Sequence, residues 1–317
     1  MSGLYAGFDI GGTKCAVAIG RDTDGGRPQI LTRQAFPTPP TLEEAMTRLC
    51  ALAREACGGE PISGVGISAG NPMDAQNGIL LNPPNLPGWS QVSLTKWASD
   101  ALHAPAVLEN DANACALAEW RWGAGIGFSN LVFLTFGTGM GAGLILNGSL
   151  YRGVLGNAGE VGHWRLREIG PVGYGKQGSF EGFCSGGGLA QLAKTIGLGY
   201  LQKGVTPAYW NAGRIDVKTV ADAARAGDTA ANETFSLCGR MLGQGLALLV
   251  DVLNPECIVI GSIYARCTDL LRPALEETLK ADALSDSAKA CALLPAKLGE
   301  RLGDYAALSL AMQAGAQ

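Results

Sequence analysis

The chain has 317 residues, 47% of them hydrophobic and 16% charged, which is enough apolar material for two cored domains and too much for a disordered polymer. Its 24 Lys and Arg against 28 Asp and Glu leave a formal net charge of −4, which excludes a protein that coats nucleic acid. No uninterrupted apolar run is long enough to cross a bilayer and no basic leader opens the chain, so a cytoplasmic protein without a membrane partner is expected.

Leu4 to Ile10 is an apolar run, Gly11-Gly12 a turn, and Cys15 to Ile19 a second run followed by Gln29 to Ala35, which together read as a glycine-tipped hairpin and a third strand. Thr41 with Glu44 is a capping box that opens an amphipathic helix to about Ala56, and Ile62 to Ser68 is a buried strand. Ala69 to Trp89, rich in Asn-Pro, Asn-Gly and Pro-Gly, reads mostly as loop. Ala106 to Glu109 is a short strand and Asp111 to Trp122 a helix. Asn130 to Phe136 and Gly141 to Leu146 then repeat the opening pattern of strand, glycine tip and strand, with Asn147-Gly148 turning into a third short strand. Helices near Gly187–Ile196 and Val217–Ala226, a long helix Thr229–Leu253, a strand Cys257–Ile260 and a final helix Asp304–Met312 complete the reading. Interleaved strands and helices with hairpins give an α/β class with mixed sheets. The repeated pattern implies two domains of one design joined by a hinge near 115–125.

Nine cysteines, odd in number and scattered through apolar segments, read as reduced buried thiols. Glycine is the outlying count at 46, and it clusters around 11–12, 137–143 and 186–188. Asp9-Ile-Gly-Gly-Thr-Lys14 sets a carboxylate at a strand end before a turn of exposed N–H groups, which suits phosphate and Mg²⁺ as well as it suits a plain hairpin. Thr135-Phe-Gly-Thr-Gly-Met-Gly-Ala-Gly143 repeats the device, and two such turns can grip one polyphosphate. Neither is a Walker A loop or a dinucleotide turn. Glu109-Asn110-Asp111 sits between a strand and a helix, where Asp111 is either a general base or a helix cap. Glu160-Val-Gly-His163, with Glu181 further on, offers a structural histidine or, together with Asn110, a polar cage for a polyol.

In order along the chain, Asp9-Ile-Gly-Gly-Thr-Lys14, Pro84-Asn-Leu-Pro-Gly-Trp89, Glu109-Asn-Asp111, Gly137-Thr-Gly139, Ala158-Gly-Glu-Val-Gly-His163 and Asn254-Pro-Glu-Cys-Ile-Val-Ile-Gly261 resemble the ROK family (repressors, open reading frames and sugar kinases) of the actin-like ATPase superfamily. The resemblance implies two actin-like (ribonuclease H-like) α/β domains with mixed β-sheets and a cleft between them. The smaller would take 1–118 with the C-terminal helix at about 300–317, and the larger 119–299 with the interface of a homodimer. It implies an ATP-dependent, Mg²⁺-assisted kinase of a hexose such as glucose, acting on the 6-OH, with Asp111 as catalytic base. Asn85, Asn110, Glu160, His163 and Glu181 would hold the sugar. Gly11, Gly12, Thr13, Lys14, Gly137, Thr138 and Gly139 would hold the phosphates, with Asp9 as the magnesium-linked acid, and Gly186 to Gly188 with Gly261 on the nucleotide side.

The usual family stretch after the EVGH-like motif carries three cysteines that join the histidine around zinc, whereas this chain has Val172, Tyr174 and Ser179 there, so no zinc is expected. Phosphoryl transfer would rest on positioning and charge stabilisation, with loop 69–89 closing on sugar binding. The alternatives are an N-acetylmannosamine or N-acetylglucosamine kinase, a non-catalytic sugar-binding or regulatory member, a repressor, and another actin-like enzyme. A repressor would carry a DNA-reading domain ahead of an Asp-Ile-Gly-Gly segment that here begins at the ninth residue.

Overall fold

The glycine-tipped hairpin is where the sequence puts it in the computed structural model, which describes residues 3–23, 26–83 and 86–316, without the side chains of 90 and 91. In chain order come β1 (Leu4–Ile10), β2 (Lys14–Arg21), β3 (Gln29–Pro37), α1 (Leu42–Cys57), β4 (Ile62–Ala69), β5 (Met73–Asp74), β6 (Ile79–Leu81), β7 (Ser90–Ser93), α2 (Leu94–Leu102), β8 (Ala106–Asn110) and α3 (Asp111–Trp122). Next are β9 (Leu131–Phe136), β10 (Met140–Leu146), β11 (Ser149–Tyr151), β12 (Val172–Gly173), β13 (Lys176–Gln177), α4 (Phe180–Phe183), α5 (Gly186–Gln202), α6 (Val217–Arg225) and α7 (Thr229–Leu253). The chain ends with β14 (Cys257–Ile260), α8 (Ile263–Asp282), α9 (Ser285–Ala290), β15 (Ala292–Pro295) and α10 (Leu302–Ala314).

Two units emerge, one of Met1–Gly127, Gly143–Ala158 and Lys297–Gln317, the other of Phe128–Ala142 and Gly159–Ala296. The hinge expected near 115–125 falls largely on α3, whose unbroken hydrogen bonding runs to Trp122, and the chain leaves the first unit after Gly127.

In the first unit the strand order is β3-β2-β1-β4-β8, antiparallel across the β1–β2–β3 meander and parallel across β1–β4–β8. Thr41 caps α1 by accepting the Glu44 N–H, and α1 and α2 cover one core with Phe8, Ile10, Met46, Leu49, Ile67 and Leu94. Helix α10 lies on β1 and β4 so closely that an ideal Cβ on Gly66 would stand 2.1 Å from the Ala307 carbonyl oxygen and one on Gly64 2.2 Å from that of Ala311. The stretch 69–89, expected as loop, contributes β5 and β6, which pair with β7 in a small antiparallel sheet. Their two- and three-residue lengths lie between turn residues that mask any alternation. Of the motif there, Pro84 and Asn85 lie outside the described residues.

In the second unit the sheet runs β10-β9-β14-β15, with β9, β14 and β15 mutually parallel. From Gly143 onward β10 belongs to the first unit, where it pairs with β11. With β11 included as the outer partner of β10, the sheet β11-β10-β9-β14-β15 follows the same order as β3-β2-β1-β4-β8 when each is numbered from its opening strand. Helix α7 is, among the described residues, the one helix long and apolar enough to cross a membrane, but Glu233, Arg240 and Asp251 interrupt it and more than half of it is buried inside the unit. Gly239 and Gly243 bring α8 against it, since ideal Cβ atoms there would meet the Leu271 and Leu275 carbonyl oxygens at 2.6 and 2.5 Å. All nine cysteines are free thiols, and all but Cys115 are buried.

Where the chain leaves and re-enters the first unit, its backbone is tied by Glu119, which is 0% exposed. Its carboxylate accepts the N–H of Ala124 at 2.7 Å, of Lys297 at 3.0 Å and of Leu298 at 2.9 Å. Because an acceptor-only group is needed to satisfy those donors, Glu119→Gln is expected to cost about 2 kcal/mol and Glu119→Ala about 3 kcal/mol in urea unfolding. A Gln variant as stable as wild type would show that the tie contributes nothing.

Candidate functional site

In the first unit, Asp9 is the penultimate residue of β1, opposite Ala16, and is half-buried. Burial above all, then the neighbouring Asp304, pushes its carboxyl above the ordinary value of 3.8, against the pull of Lys14 and Arg33. Asp304 is 4% exposed, accepts Arg33 Nε through Oδ1 at 2.8 Å, and its Oδ2 has no hydrogen-bond partner. The turn beyond Asp9 is closed by Gly11 N–H donating to Lys14 O at 3.0 Å and by Thr38 Oγ1 donating to Gly11 O at 2.5 Å. Gly12, Thr13 and Lys14 are exposed, and the Gly12 and Thr13 N–H groups have no backbone acceptor among the described residues. A half-buried carboxylate whose charge is disfavoured, beside an orphaned carboxylate oxygen, is hard-oxygen chemistry that suits Mg²⁺.

Glu109-Asn110-Asp111 divides its labour between three side chains. Asn110 is the helix cap, its Oδ1 accepting the N–H groups of Ala112 at 2.9 Å and Asn113 at 3.2 Å, and Asp111, exposed as the first residue of α3, accepts the same Ala112 N–H through its own Oδ1 at 2.8 Å. There the helix N-terminus favours its charged form. Asn110 Nδ2 is left with no acceptor among the described residues. Glu109, 4% exposed, accepts from Asn110 N at 3.0 Å and Asn113 Nδ2 at 2.9 Å through Oε1, and from Arg152 Nε at 2.7 Å through Oε2. This buried network fixes the strand-to-helix corner on which Asp111 stands.

In the second unit, the loop Gly137-Thr138-Gly139 is closed by Gly137 N–H donating to Gly139 O at 3.1 Å and by Thr135 Oγ1 accepting the Gly141 N–H at 2.9 Å. Gly186 N–H donates to Gly137 O at 2.8 Å, and Ser185 caps α5 by accepting the Gly188 N–H at 3.0 Å. The loop and Gly186-Gly187 edge a cavity of about 920 Å³ whose other walls carry Arg214, Lys218, Arg225 and Arg266 along with Asp216 and Asp222. Gly261 ends β14 at the same place in the unit, its N–H donating to Leu134 O at 2.9 Å, and its neighbour Ser262 lines the cavity.

Glu160 and His163 are exposed, and Glu181 is half-buried with Oε2 accepting the Met140 N–H at 3.0 Å. The Glu181 carboxylate thus abuts the glycine loop, where a Cβ on Gly139 would stand 2.8 Å from it. The His163 ring sits edge-on to Tyr174 at 5.0 Å between centroids, and Lys176 Nζ donates to the His163 carbonyl. Ser179 is fully buried, donating to Lys176 O at 2.9 Å and accepting the Gly182 N–H at 3.0 Å. The Gln191 amide clasps Val172, accepting its N–H and donating to its carbonyl, both at 2.9 Å. In the loop that follows His163, then, come a valine, a tyrosine and a serine with their own packing or hydrogen-bonding duties, a donor set that does not fit tetrahedral zinc.

Sequence reasoning missed Arg33, Asp304, Arg152, Gln191 and the charged walls of the cavity. Asn113, in the first turn of α3 just past the strand-end Glu109, was the one readable signal for the buried network.

Residues 5–314 match the ROK family. A glucokinase of Streptomyces coelicolor is 32% identical over 316 residues, 98% of each chain. An N-acetylmannosamine kinase of Escherichia coli is 32% identical over 256 residues, 80% of this chain and 81% of that one. The crystal structure of a ROK family glucokinase from Streptomyces griseus in complex with glucose and AMPPNP superposes with a TM-score of 0.79 at 33% identity, covering 98% of this chain and 100% of that one. With the match running through both units, the chain belongs to the ROK family, with the actin-like ATPase fold of its kinases.

Proposed function

We propose that this protein is a cytoplasmic ATP-dependent sugar kinase that phosphorylates the 6-hydroxyl of a hexose such as glucose. The observation that carries the reading is the exposed Asp111 carboxylate at the head of α3, on a strand-to-helix corner that Asn110 caps and buried Glu109 braces. The glucokinase relatives support glucose, and the N-acetylmannosamine kinase relative makes an N-acetylhexosamine the alternative.

In this reading Asp111 accepts the proton of the sugar hydroxyl while that oxygen bonds to the γ-phosphorus and the bond to the β–γ bridging oxygen breaks, giving ADP and sugar phosphate. Asn110 Nδ2, Glu160, His163, Glu181 and Asn85 orient the sugar hydroxyls. Gly11 to Lys14 and Gly137 to Gly139 offer backbone N–H groups and a cation to phosphate oxygens, and the cavity beside Gly186, Gly187 and Gly261 takes the nucleotide. Asp9 would hold Mg²⁺, which would supply charge neutralisation on the phosphates. The homodimer expected from the resemblance has an apolar stripe to draw on in the second unit, where Leu248 and Val252 are 44% and 76% exposed one turn apart on α7.

Coupled ADP release with MgATP over a panel of hexoses and N-acetylhexosamines is expected to give turnover with glucose that Asp111→Asn lowers by about 10³-fold while sugar affinity stays within about twofold. Fastest turnover on N-acetylmannosamine moves the substrate to the alternative, and undiminished Asp111→Asn turnover removes Asp111 as base.

Because burial raises Asp9, its ionisation works against the fold, and the stability it allows at low pH is lost as pH climbs past 3.8 towards the raised folded value. Asp9→Asn is therefore expected to melt later than wild type at pH 7 while losing Mg-dependent turnover. An earlier melting point at pH 7 would contradict the electrostatic assignment.

The loop from His163 to Gln191 should need no metal. Elemental analysis is expected to find far less than one zinc per chain, and chelation followed by Mg²⁺ restoration should leave melting and turnover unchanged. Stoichiometric zinc that stabilises the protein would refute this.

A further inference from the structure

Ser262 holds a backbone conformation that its residue type resists. It has φ 50° and ψ −108°, in the left-handed half of the map that glycine enters freely and a side chain opposes. Glycine at this position would keep the turn from β14 into α8 and remove the opposition, so what serine adds is its hydroxyl. That hydroxyl lines the cavity that the kinase reading gives to the nucleotide. Its Oγ stands 3.4 Å from an ideal Cβ on Gly137, alongside the glycine loop, and accepts Arg266 Nη2 at 3.1 Å.

A hydroxyl has one donor and two acceptor sites. Arg266 occupies an acceptor site, and a cationic donor on the oxygen polarises the O–H bond. The hydroxyl hydrogen itself has no acceptor among the described residues, so a polarised donor faces a cavity whose walls also carry Arg214 and Lys218. The ligand group that satisfies such a donor beside a glycine loop is an anionic oxygen.

We propose that Ser262 reads the phosphate chain of the nucleotide: its O–H donates to a non-bridging phosphate oxygen, with the Arg266 guanidinium held behind it. The proposal rests on the kinase reading for the identity of the ligand, and adds a specificity-determining residue whose strained backbone is the cost of placing that hydroxyl.

Calorimetric titration of wild type, Ser262→Ala and Ser262→Gly with AMPPNP plus Mg²⁺, and with adenosine, tests it. Both variants are expected to bind AMPPNP about five- to tenfold more weakly, the loss of one hydrogen bond to a charged group. Adenosine affinity should stay within about twofold, and Ser262→Gly should melt above wild type as the strain is relieved. Variants that bind AMPPNP as wild type does would overturn the proposal and leave the kinase reading standing. An equal loss for adenosine would also overturn it, by assigning the hydroxyl to the base or ribose. Wild type that binds no nucleotide at all would remove the kinase reading together with the proposal.

Discussion

The first unit is organised by the contact of one helix backbone with one sheet. Gly7, Gly64 and Gly66 on β1 and β4 have no side chain because the α10 backbone occupies that volume, with ideal Cβ atoms at Gly7 and Gly66 2.8 and 2.1 Å from Ala307. A helix seated so low over a sheet has little freedom to slide. Its first turn is therefore pinned against the C-terminal end of β1, where an ideal Cβ on Gly303 would stand 2.9 Å from Asp9 Oδ2. The same seating buries Asp304 and leaves Arg33 as its counter-ion. Two carboxylates are thus held close by packing rather than by any attraction between them. Packing energy keeps Asp9 in an environment that raises its pKa, the usual relation between a stable scaffold and a charged site.

Glu119 secures the approach to that helix. The segment that begins at Lys297 has neither sheet nor helix partners for its first N–H groups, and the buried carboxylate supplies them. Among the described residues its partners are backbone N–H groups, whose dipoles stabilise a carboxylate. Arg121, two residues further along α3, donates to the Ser309 carbonyl on α10 at 2.8 Å and ties the two helices together. Helix α3 therefore presents Asp111 at its head while its tail anchors α10, and the position of the candidate base depends on both ends of one helix.

What the sequence could show follows from how local each feature is. The β1–β2 turn, α3, α7 and β14 were legible because their signals, glycine tip, alanine-rich helix, apolar periodicity and apolar run, lie within the element itself. Helix α8 was passed over because Pro273 and the non-helical Cys267 interrupt its pattern, and β15 because three half-buried residues and an exposed proline carry no alternation. In the site, Asp111, Asn110 and the glycine loops were legible as motifs, but the division of labour between Asn110 as cap and Asp111 as exposed acid was not, since either residue type caps a helix. Arg33 with Asp304 and Arg152 with Glu109 were invisible because 271 and 43 residues separate the partners, and only the fold brings them together.

The loop after His163 is held by hydrogen bonds and a ring contact among its own residues. Thiolates on a metal gain their stability from a few strong bonds, and a serine, a tyrosine and a valine cannot replace those bonds one for one. Here the closure is spread over several weaker ties: Ser179 buried on backbone donors and acceptors, the Gln191 amide on Val172, the His163–Tyr174 edge contact. Each is worth little alone, and they hold because they share one rigid foundation, the start of α5 joined to the glycine loop by Gly186. Glu181 and the cavity edged by Gly137, Thr138, Gly186 and Gly187 border that same junction. The Glu181 carboxylate is anchored separately from that loop, on the Met140 N–H.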